Sequence, residues 1–455
     1  MPNVIAAIST PLAPGGIGVI RISGAGALAV ADKVFFTKKK NKLADARGYT
    51  AHFGTVREAG GETLDEAIAT VFRAPHSFTG EDVVELSCHG GPYLLRRVLA
   101  AVLAAGASPA GPGEFTRRAF LNGKMDLAQA ESVMGMIGAG GEQALRAARA
   151  GQAGVLSQKI GALREELVLL AGDLAAWADY PDDDLPQVNE EKLKDGLDRA
   201  AESLQALLNT FDTGRILREG VDTVIAGRPN AGKSSLMNLL SGCERSIVTE
   251  YAGTTRDVVE ETVRLGDIPL RLADTAGIRQ TQDPVEQIGV HRALERVKSA
   301  QLVLAVFDIS RPLDEDDRQL TEALQGVPCV AVVNKTDLPA ALDEAYLRQH
   351  FAHLVFLSAK TGEGFEDLKR ETEQLLGTAG LDPAAGILFT ERQRGDVQQA
   401  LAALEEARAA LAMDMTLDAV TVSLEGALSA LFELTGERVS DAVVDSVFER
   451  FCVGK

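Results

Sequence analysis

Apolar positions recur at two spacings along this chain, and the change of spacing divides it. From residue 1 to about 120, short runs alternate apolar and polar positions, as half-buried strands do. Val4 to Ile8 and Gly18 to Ile22 read as strands joined by a turn at Thr10-Pro-Leu-Ala-Pro-Gly-Gly. A helix follows over Ala25 to Phe35, then strands at His52 to Val56, Glu66 to Phe72 and Asp82 to His89, and a helix over Pro92 to Leu103. From about 120 to 215 the period becomes 3.6: Ile160, Leu163, Leu167, Leu170 and Leu174 share one helix face. A second helix is expected over Glu190 to Leu208. Strands and helices alternate from 216 to 377, and a helical tail begins at Thr390, whose spacing to Gln393 predicts a capping box. Neither helical stretch forms a bundle alone, so they are expected to pack together with the middle region inserted between them. The predicted fold class is therefore multidomain α/β and all-α. Its parts are an α+β domain over 1–120, helical segments over 121–215 and 378–455, and a mostly parallel, Ras-like sheet over 216–377.

Chemistry concentrates in the third part. Gly227-Arg-Pro-Asn-Ala-Gly-Lys-Ser-Ser235 fits Gly-x-x-x-x-Gly-Lys-Ser, and it sits between an apolar strand run and a helical start. In that context backbone N–H groups at Asn230, Ala231, Gly232, Lys233, Ser234 and Ser235 cradle phosphates, with Lys233 on the β/γ-phosphates and Ser234 on Mg²⁺. Next come Thr249, Glu250, Tyr251, Ala252, Gly253, Thr254 and Thr255, a hydroxyl-rich stretch able to complete the Mg²⁺ shell and sense the γ-phosphate. Asp274, Thr275, Ala276 and Gly277 end the following strand, where a carboxylate holds Mg²⁺ through water and the Gly277 N–H meets the γ-phosphate. Asn334, Lys335, Thr336 and Asp337 then place a carboxylate to accept the two N–H donors that guanine has and adenine lacks, and Ser358, Ala359 and Lys360 complete the base pocket. These five elements in order predict GTP as the nucleotide. Ile278 occupies the position where Ras-like proteins orient water with Gln, so another group must do so; Glu286 is a candidate, alongside its plainer reading as a surface charge.

Composition narrows the setting. The chain has 455 residues, enough for about three domains. Its net charge of −19 opposes unaided nucleic-acid binding, so any such substrate must meet a local basic patch or a partner. No apolar run is long enough for a membrane span, and the first residues lack a signal-like pattern, so a cytoplasmic, non-membrane protein is expected. Four scattered Cys predict neither a disulfide framework nor a zinc site. The acidic Tyr180-Pro-Asp-Asp-Asp-Leu-Pro break reads as a solvated loop. Arg21, Glu85 and Lys124, charged positions in or beside apolar runs, read singly as surface charges.

Further motifs carry a resemblance that runs nearly end to end. Pro14-Gly-Gly-Ile-Gly-Val-Ile-Arg-Ile-Ser-Gly, Ser77-Phe-Thr-Gly-Glu-Asp-Val-Val-Glu-Leu, Pro112 to Glu131, the central Gly-Thr-Thr-Arg-Asp and the final Phe451-Cys-Val-Gly-Lys455 resemble the MnmE (TrmE) family of tRNA-modifying GTPases. The final motif is not a prenylation box, because Gly454 and Lys455 break that rule. The resemblance implies an N-terminal domain that dimerises and binds a one-carbon tetrahydrofolate such as 5-formyl-tetrahydrofolate, through Arg21, Glu85, Lys124 and Lys455. It implies K⁺ held by Asn230, Thr249, Tyr251 and Thr254, Mg²⁺ at Ser234 and Thr255, and Glu286 as the catalytic water-orienting acid beside Lys233 and Asn230. It also implies a homodimer that joins the flavin-containing GidA (MnmG) protein in a heterotetramer acting on the wobble uridine of tRNA. Cys452 matches the family Cys, as a reactive thiolate or as a packed thiol. Gln280 and Pro284 depart from acidic residues expected there. The alternative function, a switch GTPase on ribosomal RNA, calls for a KH-type module with a GXXG loop, and none is found.

Overall fold

The computed structural model describes residues 4–39, 41–179, 189–243, 261–272, 300–380 and 382–455. Residues 1–134 and 428–455 form one compact unit and residues 135–427 a second. The chain's last segment thus folds with its beginning, a division different from the expected boundaries at 120 and 378.

In the first unit the alternating runs become seven strands: β1 (Ile5–Ile8), β2 (Gly15–Ser23), β3 (Phe35–Thr37), β4 (Thr50–Arg57), β5 (Thr63–Phe72), β6 (Val83–Gly90) and β7 (Ser108–Pro109). They are ordered β3-β4-β5-β6-β2-β1-β7, and only β7 joins in parallel. One face is apolar because every second residue is: Ile20, Ile22, Val56, Ala69, Val71 and Leu86 are buried against α1 (Ala27–Val34) and α2 (Pro92–Ala104). The opposite face carries Arg21 directly across from Glu85. At its β1 end this face is closed by Phe115 of α3 (Glu114–Leu121), which packs on Ile5, Ala7 and Ala110. Beyond α3, the first residues of α4 (Leu127–Gly138) share a core with the helix Asp441–Phe448 through Leu127, Ala130, Val444, Val447 and Phe448. The final residues then return beside Pro112, which bridges Val453. Gly454, at φ +97°, lies so close to the Ile8 carbonyl that a Cβ would overlap it.

The second unit joins helices to a nucleotide-type sheet. The period-3.6 stretch forms α6 (Val155–Asp179), in which Ile160, Leu163, Leu167, Leu170 and Leu174 are all buried. It follows α5 (Glu142–Gln152) and precedes α7 (Glu190–Asn209) and α8 (Phe211–Glu219). The helix Glu391–Ala412 packs along α7, as expected of the two helical stretches, with Arg408 Nε 2.6 Å from Asp198 Oδ1. Its N-terminus differs in one detail from a capping box. Thr390 accepts from the Gln393 N–H at 3.2 Å, but Gln393 Oε1 accepts from the N–H of Phe389, one residue earlier than predicted.

The sheet is ordered β13-β12-β11-β8-β10-β9, built from β8 (Val221–Ala226), β9 (Glu261–Leu265), β10 (Ile268–Leu272), β11 (Leu302–Asp308), β12 (Cys329–Asn334) and β13 (Leu354–Leu357). All pairings are parallel except β9 on β10. Every residue of β11 and β12 is buried, because helices cover both faces of a parallel sheet and such strands read as continuous apolar runs. Among the described residues no helix is long and apolar enough to cross a membrane.

Candidate functional site

The phosphate loop forms where β8 ends and α9 (Lys233–Cys243) begins. Its glycines are steric necessities: at Gly227 a Cβ would strike the Val306 carbonyl, and at Gly232 (φ +104°) it would strike the Asn334 amide. Asn230 takes φ +61°, a left-handed conformation that Asn adopts more readily than most residues with a side chain, and the Ala231 N–H closes the turn on the Arg228 carbonyl at 3.3 Å. Lys233 Nζ lies back over the loop, donating to the carbonyls of Gly227 at 2.7 Å and Arg228 at 2.9 Å. A phosphate entering the loop offers that ammonium stronger, charge-assisted acceptors. Helix α9 starts at Lys233, three residues before the predicted apolar start, so the loop faces a helix N-terminus directly.

The Asn334–Asp337 segment, expected from sequence to read the base, is wired to this loop. Buried Asn334, at the end of β12, donates from Nδ2 to the Ala231 carbonyl at 3.1 Å. Its Oδ1 accepts from the N–H groups of Lys335 and Ala359 at 2.8 and 2.9 Å. One side chain therefore links the phosphate loop, the Asn334-Lys-Thr-Asp337 turn and the Ser358-Ala-Lys360 turn. Lys335 Nζ donates to the Asn230 carbonyl at 2.7 Å and pairs with Asp308 Oδ2 at 2.6 Å. The fully buried Ser358 donates its hydroxyl to Asp337 Oδ1 at 2.8 Å and so orients the carboxylate that the sequence reading assigned to the base.

Two supporting groups escaped the sequence reading. Asp308, 3% exposed, ends β11 and holds Lys335. Burial pushes its carboxyl upward, but hydrogen bonds from Lys335 and Ser310 together with the lysine charge outweigh that and hold it below the usual carboxylate range. An Asp closing an apolar strand run was the available signal. Arg228 inside the loop pairs with Asp314 at 2.7 Å and Asp317 at 3.5 Å, at the start of α10 (Glu315–Ala323). Thr249, Glu250, Tyr251, Ala252, Gly253, Thr254, Thr255, Asp274, Thr275, Ala276, Gly277, Ile278, Gln280, Pro284 and Glu286 lie outside the described residues.

A second cluster occupies the first unit. Arg21 Nε donates to Glu85 Oε1 at 2.9 Å, and another guanidinium nitrogen reaches the Gly454 carbonyl at 3.5 Å. Its plane lies over the rings of Phe115 and Phe78, with centroids 5.5 and 5.8 Å away. The chain end is pinned there: the Phe115 N–H donates to the Lys455 carbonyl at 3.2 Å and the Ser9 hydroxyl to the Gly454 carbonyl at 3.0 Å. Lys124 Nζ donates to the Pro75 carbonyl at 3.1 Å, on the same loop that carries Phe78 to Arg21. Arg21, Glu85 and the Gly454–Lys455 backbone are thus brought together, with Lys124 on the adjoining loop. Below them Arg118 binds Glu81 at 3.1 Å and Glu114 at 2.9 Å, and Glu81 accepts from the Ser23 hydroxyl at 2.8 Å. This half-buried brace was also missed: Glu114 and Arg118 lie one turn apart on α3, but Glu81 reaches them from a distant stretch of sequence.

Comparison with known proteins covers both units. Residues 127–452 match the MnmE helical domain, and residues 4–124 match the GTP-binding protein TrmE N-terminus. A tRNA modification GTPase MnmE of Symbiobacterium thermophilum is 45% identical over 100% of this chain and 99% of its own length. The tRNA modification GTPase MnmE of Geobacter sulfurreducens is 43% identical, with the same two shares covered. Among solved structures, the G domain of the T. maritima FeoB iron transporter is 27% identical, covering 34% of this chain and 98% of that one. Its TM-score of 0.26 is too low to inform the fold.

Proposed function

Because the chain belongs to the MnmE family of tRNA modification GTPases, we propose that it is the GTP-hydrolysing subunit that adds an aminomethyl or carboxymethylaminomethyl group to C5 of the wobble uridine. The chain is a GTPase, and its family implies Mg²⁺ as the companion of GTP. The observation that carries the fuller reading is the wiring of Asn334, which ties the phosphate loop to a carboxylate already oriented by Ser358. Base recognition and phosphate binding are therefore linked through one buried side chain, and the segments that meet the γ-phosphate complete the site. Ser234 and Thr255 are assigned to Mg²⁺, and Glu286 to orienting water in place of the missing glutamine.

Asn230 suits a monovalent cation. Its backbone carbonyl is taken by Lys335, leaving the exposed side-chain amide oxygen without a hydrogen bond among the described residues. With Thr249, Tyr251 and Thr254 it would hold K⁺, which when bound neutralises charge developing at the β/γ-bridge. The Arg21 cluster suits a folate: Glu85 can accept N–H groups of a pterin, Arg21 and Lys124 can meet carboxylates, and Phe78 and Phe115 offer apolar contact. A tetrahydrofolate supplies the one-carbon unit when bound. Dimerisation and pairing with a flavin-containing partner complete the assembly in this reading. The full-length family match leaves the ribosomal-RNA alternative without support.

Reconstitution tests the proposal. The chain, its flavin-containing partner, GTP, Mg²⁺, K⁺ and a one-carbon tetrahydrofolate should modify an unmodified tRNA transcript, read by nucleoside mass spectrometry. Equal product formation with a non-hydrolysable GTP analogue would break the link between hydrolysis and chemistry.

A further inference from the structure

The chain's charge is inverted in one place. Between residues 33 and 57 lie Lys33, Lys38, Lys39, Lys40, Lys42, Arg47 and Arg57 against a single acid, Asp45, in a protein of net charge −19. The run falls at the free edge of the first unit's sheet, just after the edge strand β3. It is structured. Lys38 donates its N–H to the Phe53 carbonyl at 3.4 Å, and the Thr37 hydroxyl closes the loop on the Asn41 carbonyl at 2.8 Å.

Two aromatic rings lie under the cations. Lys38 Nζ is 4.4 Å from the Phe53 ring centroid, and the Arg57 guanidinium is 5.0 Å from that of Phe36. The rings stay 46% and 43% exposed. Lysines alone would protect a sheet edge from pairing with other chains. Exposed phenylalanines add nothing to that protection. Cations interleaved with open aromatic faces are what phosphate backbones and unstacked bases require. The contact between Lys38 and Glu66, at 3.8 Å with both side chains about two-thirds exposed, is screened by water and leaves the cation available.

We propose that Phe36, Lys38, Lys39, Lys42, Phe53 and Arg57 form an RNA-contact surface that grips the tRNA substrate by its backbone and by a stacked base. The proposal rests on the tRNA-modifying reading above and names where this acidic chain itself touches the RNA.

The test measures binding of an unmodified tRNA transcript to the full-length protein over about 50 to 200 mM KCl. The K38A/K39A/K42A variant should bind roughly tenfold more weakly, and its log K against log salt slope should be shallower by about 2 to 3, since each lost phosphate contact removes about 0.7 to 0.9. GTP turnover should be unchanged. The K38R/K39R/K42R variant should retain affinity, and F36A/F53A should lose affinity with little change of slope. If the unaltered protein binds tRNA and the lysine variant binds with equal affinity and slope, the proposal is overturned. If the unaltered protein binds no tRNA at any salt, direct RNA contact by this chain fails, and the patch with it.

Discussion

Replacing Asp337 by Asn tests the base pocket through its wiring. The Ser358 hydroxyl donates to Asp337 Oδ1, so an Asn at this position keeps that bond by turning its carbonyl oxygen to Ser358. Its amide NH₂ then points where the second carboxylate oxygen was. Guanine presents N–H donors there, so two charge-assisted bonds are exchanged for a donor facing donors. Each such bond contributes about 1.5 to 3 kcal/mol, so the loss is at least about 3 kcal/mol. That corresponds to a hundredfold or greater weakening of GTP and GDP. Xanthine carries a carbonyl in place of the 2-amino group and accepts from the new amide. Titration with fluorescent guanosine and xanthosine nucleotides should show preference reversed toward xanthosine. Unchanged preference for guanosine would mean that Asp337 does not read the base.

Exchanging K⁺ for Na⁺ should lower GTP turnover markedly while nucleotide affinity persists, and equal steady-state rates in both salts would remove the cation from Asn230. Deleting residues 452–455 withdraws the Gly454 carbonyl from Arg21 and the Lys455 carbonyl from Phe115, so 5-formyl-tetrahydrofolate binding by calorimetry should weaken at least tenfold. Lys455→Ala leaves that backbone in place and isolates the side chain; unaltered affinity in both variants would exclude the tail from the pocket. Because the folded Asp308 carboxyl titrates below its unfolded value of about 4, its stabilisation is fully present above that pH and is lost as pH falls through the lower, folded value. Asp308→Asn should therefore flatten the acid limb of a stability-against-pH curve, and an unchanged acid limb would show that the pair with Lys335 does not stabilise the fold.

How much of this was legible in sequence depended on whether the signal was local. The β8-loop-α9 passage and the stripe of Ile160 to Leu174 were readable because strand and helix periods are properties of neighbouring residues. Taken singly Arg21 and Glu85 read as surface charges and only the family resemblance grouped them; the register that sets them opposite each other is carried by sheet pairing over a long sequence separation. The pairing of Arg118 with Glu81 and the grip of Asp308 on Lys335 were hidden for the same reason. The capping box failed by one residue, because Gln393 found the N–H of Phe389, a choice fixed by how the chain enters the helix and not by spacing. The docking of the chain end beside Pro112 had no local signal either, since Gly454 reveals its purpose only against the Ile8 carbonyl.

The central claim is that this GTPase acts on the wobble uridine of tRNA. Mass spectrometry of tRNA nucleosides from cells lacking the chain tests it most directly. The account predicts loss of the 5-aminomethyl or 5-carboxymethylaminomethyl uridines, restored by the unaltered chain and not by Lys233→Ala; an undiminished content of those nucleosides in the deleted cells would contradict it.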